Sequence, residues 1–194
     1  ANRGDPFAAK VLEQTDIMRD QVAHHLERAR IAARVTTIGT ITEVAPVIEA
    51  LARTMEKIHR DRDILIDAEI NDGAKFRGER QDLEEMAGNL VDNACKWAGQ
   101  RVFIEVLIER SAANALDPIL RIIVDDDGPG LSPTERTQVA RRGQRLDETK
   151  PGSGLGLSIV TDLAQLYGGS FTLGAAPIGG LRAADDIHKI DRIA

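Results

Sequence analysis

A glycine-rich run placed late in the chain, Gly152-Ser-Gly154-Leu155-Gly156-Leu157, restricts the available folds more than any other feature. It opens onto an apolar helical stretch from about Leu155 to Tyr167, so its backbone N–H groups and the helix N-terminus can cradle phosphates. A Walker A loop would need Gly-Lys-Ser/Thr, which is missing, and a Rossmann fingerprint would follow the first strand of a βαβ unit. Neither of those nucleotide folds suits this order. Two other motifs precede the loop: Asn89-Leu-Val-Asp-Asn93 with Lys96, and Asp126-Asp-Gly128-Pro-Gly130. The first offers amide oxygens to a metal. The second sets an acceptor-only carboxylate beside flexible backbone. All three fall within about 70 residues and together describe a pocket for ATP and Mg²⁺.

The reasoning for each motif is chemical. Glu85, Asn89, Asn93 and Lys96 recur at four, four and three residues, so they share one helix face beside the apolar stripe Leu83, Met86, Leu90, Ala94 and Trp97. Mg²⁺ takes hard oxygen ligands and keeps several waters, and an amide oxygen serves without adding anionic repulsion against a triphosphate. Lys96 can neutralise phosphate. Asp126 follows the apolar strand Ile119-Leu-Arg-Ile-Ile-Val124, and an ionised carboxylate there selects an exocyclic amine, which adenine carries where guanine has a carbonyl. Gly128 and Gly130 allow positive φ and close approach of a ligand.

The rest of the chain reads as alternating helices and strands. A helix from Ala8 to about Val35 carries a seam of Val11, Thr15, Met18, Val22, His25 and Ala29, and needs a partner helix to bury it. Thr36-Thr-Ile-Gly39-Thr40 reads as a linker. Val44 to Ile58 forms a second amphipathic helix, and Ile64, Ile66, Ala68 and Ile70 alternate as a strand ended by Asn71-Asp-Gly73. Two strands span about Val102 to Glu109 and Ile119 to Asp125, joined by a turn at residues 114–118, and a further strand lies near Phe171 to Leu173. The charged stretch from Leu131 to Pro151 is expected to be a loop or lid. This order suits a two-layer α/β sandwich, a mixed sheet with helices on one face.

Composition narrows the function. A net charge of −6 argues against nucleic acid as a partner, because neutralising phosphates needs a basic surplus. The lone Cys95 excludes an internal disulfide, suits a reducing compartment and reads as a small buried helix residue. The chain opens on Ala1-Asn-Arg-Gly-Asp-Pro-Phe7 with no initiator Met, so we expect it to be part of something longer.

Taken together, the three motifs resemble the N, G1 and G2 boxes of the GHKL superfamily, which includes sensor histidine kinases, Hsp90-type chaperones, type II topoisomerases and mismatch-repair ATPases. The similarity spans about residues 40 to 182. The short segment Arg142-Gly-Gln-Arg145-Leu-Asp147, without a Phe-rich box, looks like the lid of PhoQ-type sensor kinases. The resemblance implies a Bergerat ATP-binding fold over residues 39–194, preceded at 1–38 by the second helix of a dimerisation and phosphoacceptor hairpin with its linker. It implies Mg²⁺ on Asn93, phosphate contacts and catalysis by Asn89, Lys96, Arg142 and Arg145, and Trp97 beside the adenine. Asp126 would read the adenine amine, with Gly128, Gly130, Gly152, Gly154, Leu155, Gly156 and Leu157 lining the cofactor. It further implies a homodimer at the cytoplasmic side of a bacterial inner membrane. Its partners would be a response-regulator receiver domain and a phosphoacceptor helix of the same or a paired subunit.

Two features depart from the family pattern. None of His24, His25, His59 or His188 has a Pro five residues on, as the phosphoacceptor motif requires, so the acceptor is expected upstream of Ala1. After Gly179-Gly-Leu-Arg182 the alternation is broken at Ala183-Ala-Asp-Asp186-Ile-His188, so the last strand is either short or the tail serves another purpose. Two other functions stay open: a GHKL ATPase that couples hydrolysis to conformational change, and an inactive nucleotide-binding scaffold. The ATPases place a Glu base four residues before the metal Asn, where this chain has Asn89, and that favours phosphoryl transfer to a protein acceptor.

Overall fold

A computed structural model describes Thr15, Met18 and residues 40–110, 118–139 and 155–187. Thr15 and Met18 are helical, and Met18 is 67% exposed. The rest of that expected helix, the linker up to residue 39, and the histidines at 24, 25 and 188 lie outside the described residues.

From Thr40 onward the order is β1 (Thr42–Glu43), α1 (Val44–Ile58), a 3₁₀ turn (Arg60–Arg62), β2 (Leu65–Ile70), β3 (Lys75–Phe76), α2 (Arg80–Trp97), β4 (Arg101–Arg110) and β5 (Pro118–Asp126). There follow α3 (Pro133–Val139), α4 (Gly156–Leu166), β6 (Ser170–Ala175) and β7 (Leu181–Ile187). Five strands form one mixed sheet in the order β2-β4-β5-β7-β6, parallel only between β2 and β4, while β1 and β3 pair antiparallel apart from it. Helices α1, α2 and α4 cover one face, which gives the expected α/β sandwich.

Periodicity explains the layers. In α1 the spacing buries Val44, Val47, Ile48 and Ala52, and Pro46 is tolerated because first-turn N–H groups have no intrahelical partner. Helix α2 buries Leu83, Met86, Leu90 and Ala94, and also Ala87, Val91 and Cys95. Alternate residues of the strands, among them Ile66, Ile104, Val106, Ile122, Val124 and Ala183, meet this helix layer. At one end, Tyr167 donates its hydroxyl to Asp82 at 2.5 Å and packs edge-on against Phe76, ring centroids 4.7 Å apart. That contact ties the end of α4 to the start of α2. The opposite face of the sheet carries ion pairs: Arg182 grips Asp125 with bonds of 2.8 and 2.7 Å, and Arg121 bridges Asp186 and Glu109.

Three sequence expectations need correction. The stretch from Leu131 is not loop throughout, since Pro133–Val139 is helical. Its signal is a capping box: the Glu135 N–H donates to Ser132 Oγ at 3.3 Å and the Ser132 N–H to a Glu135 carboxylate oxygen at 2.8 Å. Pro133 opens the helix, where its missing donor costs nothing. The last strand is neither short nor broken. β7 runs to Ile187 as an interior strand, with Leu181, Ala183, Asp185 and Ile187 all buried. A carboxylate at a core position disguised the alternation. Finally, Ala68 is exposed rather than part of the core stripe of β2.

Candidate functional site

The site lies where β5 runs out beneath α2 and α4. Asp126, the last residue of β5, is 2% exposed, and its Oδ1 accepts from the N–H of Gly128 at 2.8 Å and of Leu181 at 3.3 Å. Oδ2 accepts from no described residue, so one carboxylate oxygen is fixed by backbone and the other remains available. Burial pushes the carboxyl above its ordinary range, the two N–H groups pull it back, and Asp127 and Asp125 add to the rise.

Glycines close the approach around it. A Cβ on Gly128 would meet the Trp97 carbonyl oxygen at 2.3 Å, and one on Gly180 would meet Asp126 Oδ1 at 2.2 Å and its carbonyl oxygen at 2.3 Å. Gly130 has φ +66°. Gly180 was not among the residues singled out from sequence, because its closeness to Asp126 is a tertiary fact: Gly180 N–H also donates to the Asp126 carbonyl at 3.0 Å.

On α2, the polar face is half-buried at Glu85, Asn89, Asn93 and Lys96, as its position beside the stripe requires. Asn89 donates its amide to the Glu85 carbonyl at 2.8 Å, which turns Oδ1 toward α4: a Cβ on Gly156 would lie 2.8 Å from that oxygen. Thus the structure brings the first and third motifs into contact through Asn89 and Gly156. One turn on, the Asn93 amide is engaged by no described residue. Lys96 Nζ rests 2.6 Å from Asp92 Oδ2 on its own helix. Trp97, Leu155 and Leu157 are half-buried at the rim formed by the end of α2 and the start of α4. Gly152, Gly154, Arg142 and Arg145 lie outside the described residues.

Cys95, on the buried side of α2, is fully covered, and burial raises its thiol to about 11, so it is inert. The donor set fits an adenine nucleotide with a hard divalent cation: one pinned carboxylate, neutral amides, and a cradle that glycine alone leaves open.

The family described as "Histidine kinase-, DNA gyrase B-, and HSP90-like ATPase" matches residues 78–184, and the chain belongs to it. Among curated proteins, the chain is similar to the sensor protein PhoQ of Escherichia coli (strain K12), 32% identical over 172 residues, covering 89% of this chain and 34% of that protein. It is similar also to the sensor protein kinase CarS of Pseudomonas aeruginosa, 35% identical over 175 residues, covering 90% of this chain and 37% of that protein. The chain thus spans about a third of the length of these relatives. Among solved structures, a mycobacterial sensor histidine kinase, MprB, superposes with TM-score 0.62 at 28% identity, covering 78% of this chain and 97% of that one. Full-length ShkA, described in complex with AMPPNP, shares the fold at TM-score 0.73 and 20% identity, covering 96% of this chain and 39% of that one.

Proposed function

We propose that this chain is the catalytic and ATP-binding part of a sensor histidine kinase of the PhoQ type, acting on a histidine of an upstream helix for relay to a response-regulator receiver domain. The observation that carries the reading is Asp126, a buried carboxylate with Oδ1 tied to two backbone N–H groups and Oδ2 left to accept an adenine amine. Residues 39–194 would form the catalytic domain, and 1–38 the end of the dimerisation hairpin and its linker.

Bound Mg·ATP supplies the γ-phosphoryl group. The chain's own residues orient it: Asp126 fixes the base, Asn93 gives an amide oxygen to the metal, and Asn89 with Gly156 holds the phosphate side of the cradle. Lys96 leaves Asp92 for phosphate, and Arg142 and Arg145 add further positive charge for it. Asn89 supports transfer over hydrolysis. It stands where the related ATPases carry their base, and its amide is committed to the Glu85 carbonyl. Positioning and charge stabilisation suffice for phosphoryl transfer to a protein nucleophile. The full protein would be a homodimer anchored in the inner membrane with this part on the cytoplasmic side. Among the described residues, no helix is long and apolar enough to cross a membrane.

The test is calorimetry of Mg·ATP and Mg·GTP on the chain and on Asp126→Asn, followed by phosphate transfer from labelled ATP to a restored upstream His helix. Losing one charged hydrogen bond costs about 1.5–3 kcal/mol, so affinity should fall roughly tenfold or more. Unchanged affinity in Asp126→Asn would remove the reading's foundation. Steady hydrolysis without any acceptor would favour the ATPase class.

A further inference from the structure

The joint between α2 and β4 is gripped from two sides by two residues to which the proposed chemistry gives no role, Arg62 outside the three motifs and Asp127 inside the second. Arg62, at the end of the 3₁₀ turn, donates Nη1 to the carbonyls of Cys95 at 2.5 Å and Lys96 at 3.1 Å, and Nη2 to Ala98 at 2.7 Å. The Cys95 and Lys96 carbonyls are ones that the last turn of a helix leaves without intrahelical donors, Ala98 is the residue just past its end, and a guanidinium there also complements the helix dipole. On the other side, Asp127 Oδ1 accepts from the N–H groups of Gly99 at 2.8 Å, Gln100 at 3.0 Å and Arg101 at 3.0 Å. The Asp127 N–H in turn donates to the Arg101 carbonyl at 3.2 Å. A cation thus holds the carbonyl side of the joint and an anion its N–H side.

What sits between them is the end of α2 that carries Lys96 and Trp97, both assigned to the nucleotide site above. Lys96 and Trp97 are its last two residues, and the Trp97 carbonyl packs so closely on Gly128 that a Cβ there would lie 2.3 Å away. Asp127 adjoins Asp126 in sequence, so one segment both fixes the acceptor for the base and anchors the end of the helix opposite it. Burial opposes ionisation of Asp127, but the N–H groups of Arg101, Gln100 and Gly99 prevail and keep its carboxyl below the ordinary range, as an anchor that stays charged at neutral pH.

We propose that Arg62 and Asp127 are positioning residues that clamp the end of α2 and thereby set the affinity of the site for adenine nucleotides, acting through Lys96 and Trp97. This rests on the nucleotide reading above. Neither residue is among those proposed above to contact the nucleotide.

Trp97 is the only tryptophan in the chain, so its fluorescence reports the clamp directly. The whole chain and its Asp127→Ala, Asp127→Asn, Arg62→Ala and Arg62→Lys variants are compared at equal folded fraction, checked by circular dichroism. AMPPNP with Mg²⁺ is titrated by calorimetry, and Trp97 is quenched with iodide in the absence of nucleotide. Removing the shared acceptor of three N–H groups should weaken AMPPNP binding by about five- to tenfold and raise iodide quenching of Trp97. Asp127→Asn keeps an acceptor oxygen and should recover most of the loss relative to Asp127→Ala. Arg62→Lys should recover only part of the Arg62→Ala defect, since an ammonium lacks the fork that spans separate carbonyls. A merely structural role would lower the melting temperature while leaving affinity and quenching unchanged in the folded protein, and that result overturns the proposal. Should Asp127→Ala not fold, unchanged affinity and quenching in Arg62→Ala overturns it equally. If the unmodified chain does not bind AMPPNP, the nucleotide reading falls with the affinity claim, while altered quenching alone would still show a clamp on Trp97.

Discussion

Asp185 offers a quantitative test of the fold. It occupies a core position of an interior strand, opposite Ile122 of β5 and Phe171 of β6, is 0% exposed, and neither carboxylate oxygen has a hydrogen-bond partner among the described residues. Burial, helped by the charge of Asp186 beside it, raises its carboxyl from 3.8 to about 7. Because the folded value is raised, the folded state binds the proton more tightly than the unfolded chain. Its ionisation therefore removes stability progressively as pH climbs from 3.8 to about 7, and the loss levels off above that. At ~1.4 kcal/mol per pH unit the full cost is about 4 kcal/mol, of which about 2–3 kcal/mol develops between pH 5 and pH 8. Asp185→Val keeps a β-branched side chain in the strand and abolishes the titration. Its advantage over the unmodified chain should widen by that amount between the two pH values, or by roughly 5–10 °C in melting temperature for a chain of this size. Thermal melts at pH 5 and pH 8 provide the measurement, and every other titrating group cancels in the difference. Asp185→Asn separates charge from polarity: it should match Asp185→Val in pH dependence while remaining less stable, because its amide stays unsatisfied. Parallel pH profiles for the unmodified chain and Asp185→Val would refute the argument.

Gly180→Ala should abolish measurable Mg·ATP binding by displacing Asp126, whereas Gly174→Ala, whose added Cβ meets nothing closer than 3.8 Å, should bind normally in the same calorimetric titration. Equal affinity in both would show that the close approach of Gly180 is unimportant. Tyr167→Phe takes a buried hydroxyl donor from Asp82 and should cost about 1–3 kcal/mol in urea unfolding; an unchanged midpoint would mean the pair adds nothing net. For Asn93→Ala, the Mg²⁺-dependent gain in nucleotide affinity should vanish while metal-free adenosine binding persists, and an equal fall in both would make Asn93 structural.

What the sequence revealed depended on how local the physics was. The stripe of α2 and the approach to Asp126 were legible because helical and strand burial write themselves as periods of 3.6 and 2. The paired strands Thr42–Glu43 and Lys75–Phe76 are too short to carry a period, and their pairing depends on residues far apart in the chain. β7 was misread because Asp185 breaks the apolar rule at the position where the sheet buries it most. Gly180, Arg62 and Asp127 have no local signature: each acts on backbone 26 or more residues away. Ser132-Pro-Thr-Glu135, by contrast, was readable as a capping box and lay within a stretch whose charge alone suggested a loop.

The place of β7 has a consequence for assembly. It is the last described strand to leave a ribosome, yet it inserts between β5 and β6, and the N–H of Leu181 reaches back 55 residues to Asp126. Until Gly180 and Leu181 arrive, Asp126 holds only the N–H of Gly128, and β5 presents an open edge. A nascent or nicked chain ending before residue 180 therefore has every residue of the three motifs but lacks one of the two N–H groups that pin Asp126. On the nucleotide reading proposed above, full capture of ATP would then require the sheet to have closed.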